Sequence, residues 1–188
     1  MTDSLHVRLR EITIDDVDLV DGWAASPGVE GEFNDFGLPH RSLREPALEG
    51  RLVGEGGGTL LVETLDGTPI GTMSWHGVMY GPNPESRAWN IGISLIPEAR
   101  GHGHGVEAQQ LLARRLFAET AANRVEASTD VENMAEQRAL EKAGFVREGV
   151  QRGSQWRHGA WHDLVTYAVT RSGSPRATIP EQRPSSLA

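Results

Sequence analysis

The sequence predicts an α+β domain built on one mixed, mostly antiparallel sheet, and three observations carry that prediction. Two runs of alternating apolar residues, "TLLVETL" and "PIGTMSWHGV", flank Asp66-Gly67 and read as an antiparallel hairpin. Two amphipathic helix patterns, residues 106–121 and 133–144, are each placed between strand-like runs, which calls for crossover connections. A doubly wound dinucleotide fold alternates strand and helix strictly, and the hairpin breaks that alternation.

Taken in order, "HVRLREI" alternates as a first strand, and "TIDDVDLVDGWA" follows as a helix that Thr13 or Asp15 can cap. Residues 26–58 are rich in Gly, Pro and charge; they hold one short helical candidate, Leu43 to Val53, and "GEGGG" at 54–58 reads as a flexible link. Asp66-Gly67 signals a type I′ turn. "AWNIGISLI" is a strand ended by Pro97, followed by a glycine loop and the helix "VEAQQLLARRLFAETA". "RVEAST" is a short strand, and "NMAEQRALEKAG" is a helix with Asn133 as N-cap and Gly144 as its left-handed stop. "FVREGVQ" and "WHDLVTYAVT" close the domain as strands. From Ser172 the tail has three prolines and few core residues, which predicts a domain over 1–171 and a disordered segment over 172–188.

Composition removes whole classes of chemistry. The 188 residues suit one domain as a monomer or homodimer. No apolar run approaches the ~20 residues that cross a bilayer, and the N-terminus has no signal-like core, so a soluble, cytoplasmic protein without membrane contact is expected. The absence of cysteine excludes disulfides, thiolate catalysis and Cys-ligated zinc. A formal net charge of -8 disfavours nucleic-acid backbones, leaving tRNA open, and suits cationic or amine-bearing partners.

The segment "RGHGHGVEA", residues 100–108, sits between a strand and a helix. A metal site needs three or four ligands, and His102 and His104 supply two; no metal is expected. A Walker A loop ends in Lys and Ser/Thr, whereas Gly105 is followed by Val106 and Glu107. The dinucleotide fingerprint spaces its glycines differently. Two readings remain: a nest of unshielded amides at a helix N-terminus, suited to a pyrophosphate, or a plain glycine turn.

Arg100, Gly103 and Gly105 fill the pattern Arg/Gln-x-x-Gly-x-Gly/Ala, which resembles the acyl-CoA-binding signature of the GNAT acetyltransferases. The similarity continues through "IGISLIPEARGHGHGVEA", Asn133, "LEKAGFVREGVQRG", "GAWHD" and Tyr167, an order similar to the branch of ribosomal-protein N-terminal acetylases (RimJ/RimL-like) and spanning residues 6–171. The resemblance implies a seven-stranded sheet flanked by helices and splayed between its fourth strand, "WNIGISLI", and its fifth, "RVEAST". Acyl-CoA would lie in the gap as co-substrate. It places Ser94, Leu95 and Ile96 beside the pantetheine, with Arg100 and the amides of Gly101, His102, Gly103, His104, Gly105 and Val106 around the pyrophosphate. The two histidine side chains would project away. Asn133 would touch pantetheine, and Arg138, less so Lys142, would reach phosphates.

Two positions depart from the branch pattern. Where relatives carry Glu before "IG", as a base acting through water, this chain has Asn90, which takes no proton at neutral pH. Where relatives carry Ser near the thioester sulfur, it has Glu136. Asn133 and Glu136 also fit a capping box, so Glu136 is read either as a cap partner or as a group near the thioester. His76, after Trp75, is a further proton acceptor or a structural strand histidine. "EFNDFG", with Glu32, Phe33, Asn34, Asp35 and Phe36, falls where the family's substrate loop lies; with Trp75 it would form an amine-binding lip, or its aromatics would anchor the loop in the core. Trp156 and Trp161, near the C-terminal hairpin, either line the same cleft or, in the favoured reading, serve as hydrophobic filling.

The expected activity is transfer of an acetyl group from acetyl-CoA to a primary amine of a small molecule or a protein N-terminus. The alternatives are another donor such as aminoacyl-tRNA in specialised metabolism, or an acyl-CoA-binding module without turnover.

Overall fold

The computed structural model describes residues 6–26, 28–29 and 31–173. The elements run β1 (Val7–Glu11), α1 (Val17–Ala25), α2 (Arg44–Leu48), β2 (Val53–Gly54), β3 (Gly57–Thr64), β4 (Pro69–Met79), β5 (Arg87–Leu95), α3 (His104–Glu119), β6 (Arg124–Asp130), α4 (Met134–Lys142), β7 (Val146–Arg157) and β8 (Ala160–Thr170). They form one eight-stranded sheet in the order β1-β3-β4-β5-β6-β8-β7, with β2 on β3. Every pair is antiparallel except β5 with β6. No helix among the described residues is long and apolar enough to cross a membrane.

Alternation in the strands sends one set of side chains to each face. Leu60, Val62, Met73, Trp75, Trp89, Ile91, Val125, Ala127, Val165 and Tyr167 are buried in a main core shared with Ala108, Leu112, Leu116 and Phe117 of α3 and Leu140 of α4. The opposite face is covered over part of its width, where Ile12, Val20 and Leu61 meet Trp23 and Leu43. Both helix signals hold at their ends: Gly144 stops α4 at φ 94°, and the Phe145 amide donates back to the Leu140 carbonyl.

The parallel pair decides the architecture. β4 stays paired with β5 as far as Gly71↔Leu95, but β5 pairs with β6 only at Trp89↔Val125 and Asn90↔Glu126. Beyond Asn90 the two strands part, leaving a V-shaped gap whose apex lies at Asn90 and Glu126.

Several expectations are corrected. The sheet has eight strands rather than seven, because "GEGGG" is no flexible link: Gly57 and Gly58 pair with Gly54 and Val53. Close packing requires those glycines, since a Cβ on Gly58 would lie 2.6 Å from the Trp75 ring. The helix predicted over 43–53 is one short piece, ending at Leu48. The Asp66-Gly67 turn is not type I′: only Gly67 has positive φ, and the Thr64 amide donates to the Thr68 carbonyl around a three-residue loop. The type I′ turn is instead His158-Gly159, with φ 49° and 79°, joining Arg157 to Ala160 across a two-residue loop. From Ser174 onward the predicted tail lies outside the described residues.

Candidate functional site

At the mouth of the gap the chain leaves β5 through Pro97–Ala99 and turns into α3. Gly101 and Gly103 both take positive φ, 79° and 85°, and Gly103 is the N-cap of α3. A side chain is strained there, so the alternation of glycines is a backbone requirement. The consequence is a run of exposed donors: among the described residues, the amides of Gly101 to Val106 make no hydrogen bond to backbone or side chain. The macrodipole of the sixteen-residue α3 adds positive potential at the same place. His104 turns back, its Nδ1 donating to the Ala99 carbonyl at 3.2 Å, and His102 stacks obliquely 5.8 Å from it. Neither ring lines the gap.

Gly105 differs from its neighbours. It is helical, and a Cβ there would meet only Ile93 and Leu95 at 3.6 and 3.7 Å, ordinary contact. The protein itself would accept alanine at 105. Glycine there leaves the amide run open to a ligand approaching α3 end-on, which fits a pyrophosphate.

The gap is a cleft of about 510 Å³, walled by Glu32, Phe33 and Asn34, by Ile93, Ser94 and Leu95, by the glycine loop and by α4. Asn133, Glu136, Arg138 and Lys142 line the α4 side. Ile96 does not: its amide donates to the Ile70 carbonyl, and its side chain borders a small pocket beside α1. The strand edge facing the gap belongs to Ile93 and Leu95, whose carbonyls accept from Asn34 Nδ2 at 3.4 Å and Arg100 Nε at 2.9 Å. Sequence reading missed Ile93, although strand alternation pairs it with Leu95. Arg100 lines the cleft, and its Nε and Nη2 donate to the Leu95 and Val29 carbonyls, so it also braces the loop before Glu32.

Asn133 caps α4, accepting from the Glu136 amide at 3.2 Å and donating to Thr129 Oγ1 at 2.9 Å. The expected capping box is half formed. Instead of returning to the cap amide, the Glu136 carboxylate accepts from Gln109 Nε2 of α3 at 2.8 Å. Loss of solvent pushes the Glu136 carboxyl up to about 7, and the Gln109 hydrogen bond offsets only part of that. A carboxyl at that value holds a proton about half the time at neutral pH. Gln109, 1 % exposed, gives no signal in the sequence, because its pairing depends on where α4 crosses α3.

His76 and Asn90 lie on the other face of the sheet. They are register partners on β4 and β5; His76 is exposed and Asn90 half-buried. Neither lines the cleft. Trp75 is corrected outright as a lip residue: it points into the main core, with its ring over Gly58. Phe36 is exposed, and Asp35 accepts from the Gly37 amide and stands 3.9 Å from His158. Trp156 and Trp161 do not fill a core; they are 55 % and 65 % exposed, in edge contact at the tip of the last hairpin.

The loop and that hairpin are tied by a buried network absent from the sequence reading. Arg157 Nη2 donates to Asp130 Oδ2 at 2.6 Å, with both side chains nearly sealed from water. Arg157 Nη1 donates to the Phe33 carbonyl at 3.3 Å, and its guanidinium lies over the Phe33 ring. Desolvation works against the Asp130 charge, yet the Glu132 amide and Arg157 hold its carboxyl below the usual range. Among the described residues, no three His, Asp or Glu side chains cluster closely enough to hold a metal ion.

Comparison with known proteins agrees with this geometry. The family model for acetyltransferase (GNAT) domains matches residues 6–146. A probable N-acetyltransferase, YjcK, from Bacillus subtilis is 33% identical over 100 residues, which is 53% of this chain and 54% of that protein. The chain thus spans about half the length of the curated relatives it matches. Among solved structures, Mycobacterium smegmatis RimJ in complex with CoA-disulfide aligns with a TM-score of 0.75 at 22% identity, over 90% of this chain and 84% of that one. Spermidine N-acetyltransferase from Vibrio cholerae, in complex with CoA and spermine, aligns with a TM-score of 0.75 at 18% identity, over 90% and 98%. With the family matched across three quarters of its length, and with a sheet that splays at the apex Asn90↔Glu126, the chain belongs to the GNAT acetyltransferase family.

Proposed function

We propose that this protein transfers an acetyl group from acetyl-CoA to a primary amine, borne by a small molecule or a protein N-terminus, by direct attack within a ternary complex. The observation that carries the reading is the unpaired run of amides from Gly101 to Val106 at the mouth of a gap walled by β5 and α4. Acetyl-CoA supplies the acyl group as an activated thioester. The amides hold its pyrophosphate, Arg138 and Lys142 face its phosphates across the cleft, and Ile93 and Leu95 flank the pantetheine. Placing both reactants in one cleft turns a bimolecular encounter into an oriented reaction.

In the net reaction a C–N bond forms as the C–S bond breaks, and two protons leave the substrate ammonium. One ends on the CoA sulfur and one in solvent. Glu136, part-protonated at neutral pH, is suited to hand a proton to the leaving sulfur. For the acceptor, Glu32 on the cleft wall and a formal net charge of -8 favour a cationic amine. The bound spermine of the V. cholerae neighbour supports the same class.

Calorimetric titration with acetyl-CoA, followed by thiol release across a panel of polyamines, aminoglycosides and peptide N-termini, tests the reading. Gly103→Glu places a carboxylate among the amides and abolishes binding while the melting curve stays cooperative. Retained affinity in that variant sinks the loop assignment.

A further inference from the structure

We propose that the end of the molecule remote from the cleft holds a second small-molecule site, which takes a hydrophobic cation: an aromatic or branched alkyl body carrying an ammonium group. The site stands apart from the acetyl-transfer reading, because it uses none of the residues assigned to that reaction. A cavity of about 810 Å³ opens between the start of β5, the C-terminal end of α3 and the turns that lead into β3 and β5. It shares no lining residue with the cleft. Trp89 in the cavity and Leu95 in the cleft are separated along β5 by roughly 20 Å, at about 3.3 Å per residue. Leu116 and Val106, on the two sites' parts of α3, are ~15 Å apart.

The floor of the cavity asks for an apolar body. Trp75, Trp89 and Leu116 belong to the main core, and the cavity reaches the little surface they leave uncovered. Trp89 Nε1 donates to Thr120 Oγ1 at 3.1 Å, and that hydroxyl donates to the Leu116 carbonyl at 2.7 Å. The indole donor is thus satisfied within the protein, and the ring presents carbon to the cavity. Val53 and Met79 extend the apolar wall, and Met79 is 51 % exposed. A concave apolar floor of this size, bordered by a few polar groups, is the usual form of a small-molecule site.

The rim asks for a positive charge. Glu55, Glu85 and Glu119 border the cavity with Arg87 as their one cationic neighbour on the lining. Arg87 is already committed: its Nη1 donates to the Glu55 carbonyl at 3.0 Å, and its guanidinium lies 5.4 Å from the centroid of the Trp89 ring. Glu119 pairs with Arg115. The carboxylates of Glu55 and Glu85 accept no hydrogen bond and form no ion pair among the described residues. Carboxylates therefore outnumber the guanidinium around a low-dielectric recess, which focuses a negative potential on it. An anion is repelled there and a neutral apolar molecule gains only the floor, whereas a hydrophobic cation meets both floor and rim.

The experiment titrates the full chain with benzyltrimethylammonium, a quaternary cation that cannot be acetylated and so reports binding alone, with benzyl alcohol as the neutral control. Calorimetry and intrinsic tryptophan fluorescence at fixed ionic strength follow both. The cation binds with a Kd below about 1 mM and at least about fivefold more tightly than the alcohol. Saturating acetyl-CoA leaves that affinity within about twofold, and a chain that fails to bind CoA keeps it, so the two readings fail separately. Glu55→Gln/Glu85→Gln weakens the cation at least about fivefold and leaves the alcohol unchanged. Ala121→Trp, at an exposed wall position outside any helix or strand, fills the cavity and abolishes binding of both probes while the melting curve stays cooperative. No binding of the cation up to about 10 mM overturns the site, as does its displacement by acetyl-CoA or an unchanged affinity in either variant.

Discussion

Gln109 Nε2 donates to Glu136 Oε1 across 2.8 Å, joining α3 to α4 at the cleft. Gln109 Oε1 is sealed from water and without a partner among the described residues, a cost that native proteins seldom carry. Protonation of Glu136 removes the cost: the amide can turn over so that its oxygen accepts the carboxyl O–H.

The pair makes folding stability depend on pH. The Glu136 carboxyl rises from 4.5 to about 7 on folding, so the folded chain binds the extra proton between those values. Its contribution is fully present below 4.5 and is lost as pH rises through 7. At about 1.4 kcal/mol per pH unit the bound is about 3 kcal/mol, and partial exposure trims it to about 1 to 2 kcal/mol. Glu136→Gln is neutral throughout; its urea midpoint at pH 8 exceeds that of the wild type, and the difference vanishes near pH 5. Parallel curves for the two proteins would refute the shift.

Gly105→Ala separates folding from ligand binding. The position is helical with room for a methyl group, so the substitution leaves the melting temperature equal or higher, by up to about 1 kcal/mol of helix propensity. Over the amide run the methyl group weakens CoA binding about tenfold or more, read by calorimetry. Unaltered affinity removes Gly105 from the ligand contact.

Asp130 and Arg157 form a buried ion pair, with side chains 2 % and 4 % exposed. Asp130→Ala leaves an uncompensated buried charge and costs about 3 to 5 kcal/mol in denaturant unfolding. The double variant Asp130→Leu/Arg157→Met loses much less. Because Arg157 also holds the Phe33 carbonyl, the double variant raises KM for the amine more than for acetyl-CoA. Equal losses in the single and double variants would place the stability elsewhere.

His158 holds φ 49° at the first position of a type I′ turn, where Asn is preferred. His158→Asn raises stability by about 0.5 kcal/mol and lifts the melting temperature by one or two degrees. A lower melting temperature would mean that the contact with Asp35, at 3.9 Å, outweighs the backbone term.

What was legible in the sequence is what depends on short spacing. Strand alternation at residues 59–65 and 69–78, the α4 ends at Asn133 and Gly144, and the glycines of residues 101–105 are local statements about dihedrals and periodicity, and the structure keeps each of them. The two misread connections were decided by contacts instead. Trp75 packing on Gly58 made a hairpin of a supposed link, and a register shift at Val62/Glu63 set the loop at Asp66.

The composition of the site shows the same division. The sequence alone determined the glycine loop, its place before a helix, and an asparagine at residue 90. Only the tertiary structure decided which distant side chains meet around the site. Gln109 meets Glu136 across 27 residues, Tyr80 meets Glu126 across 46, and Arg157 meets Phe33 across 124. Such pairs follow from the crossing of α4 over α3 and from the register of a parallel strand pair. Both are set by how whole faces bury apolar area, a sum over the entire core that no local spacing encodes.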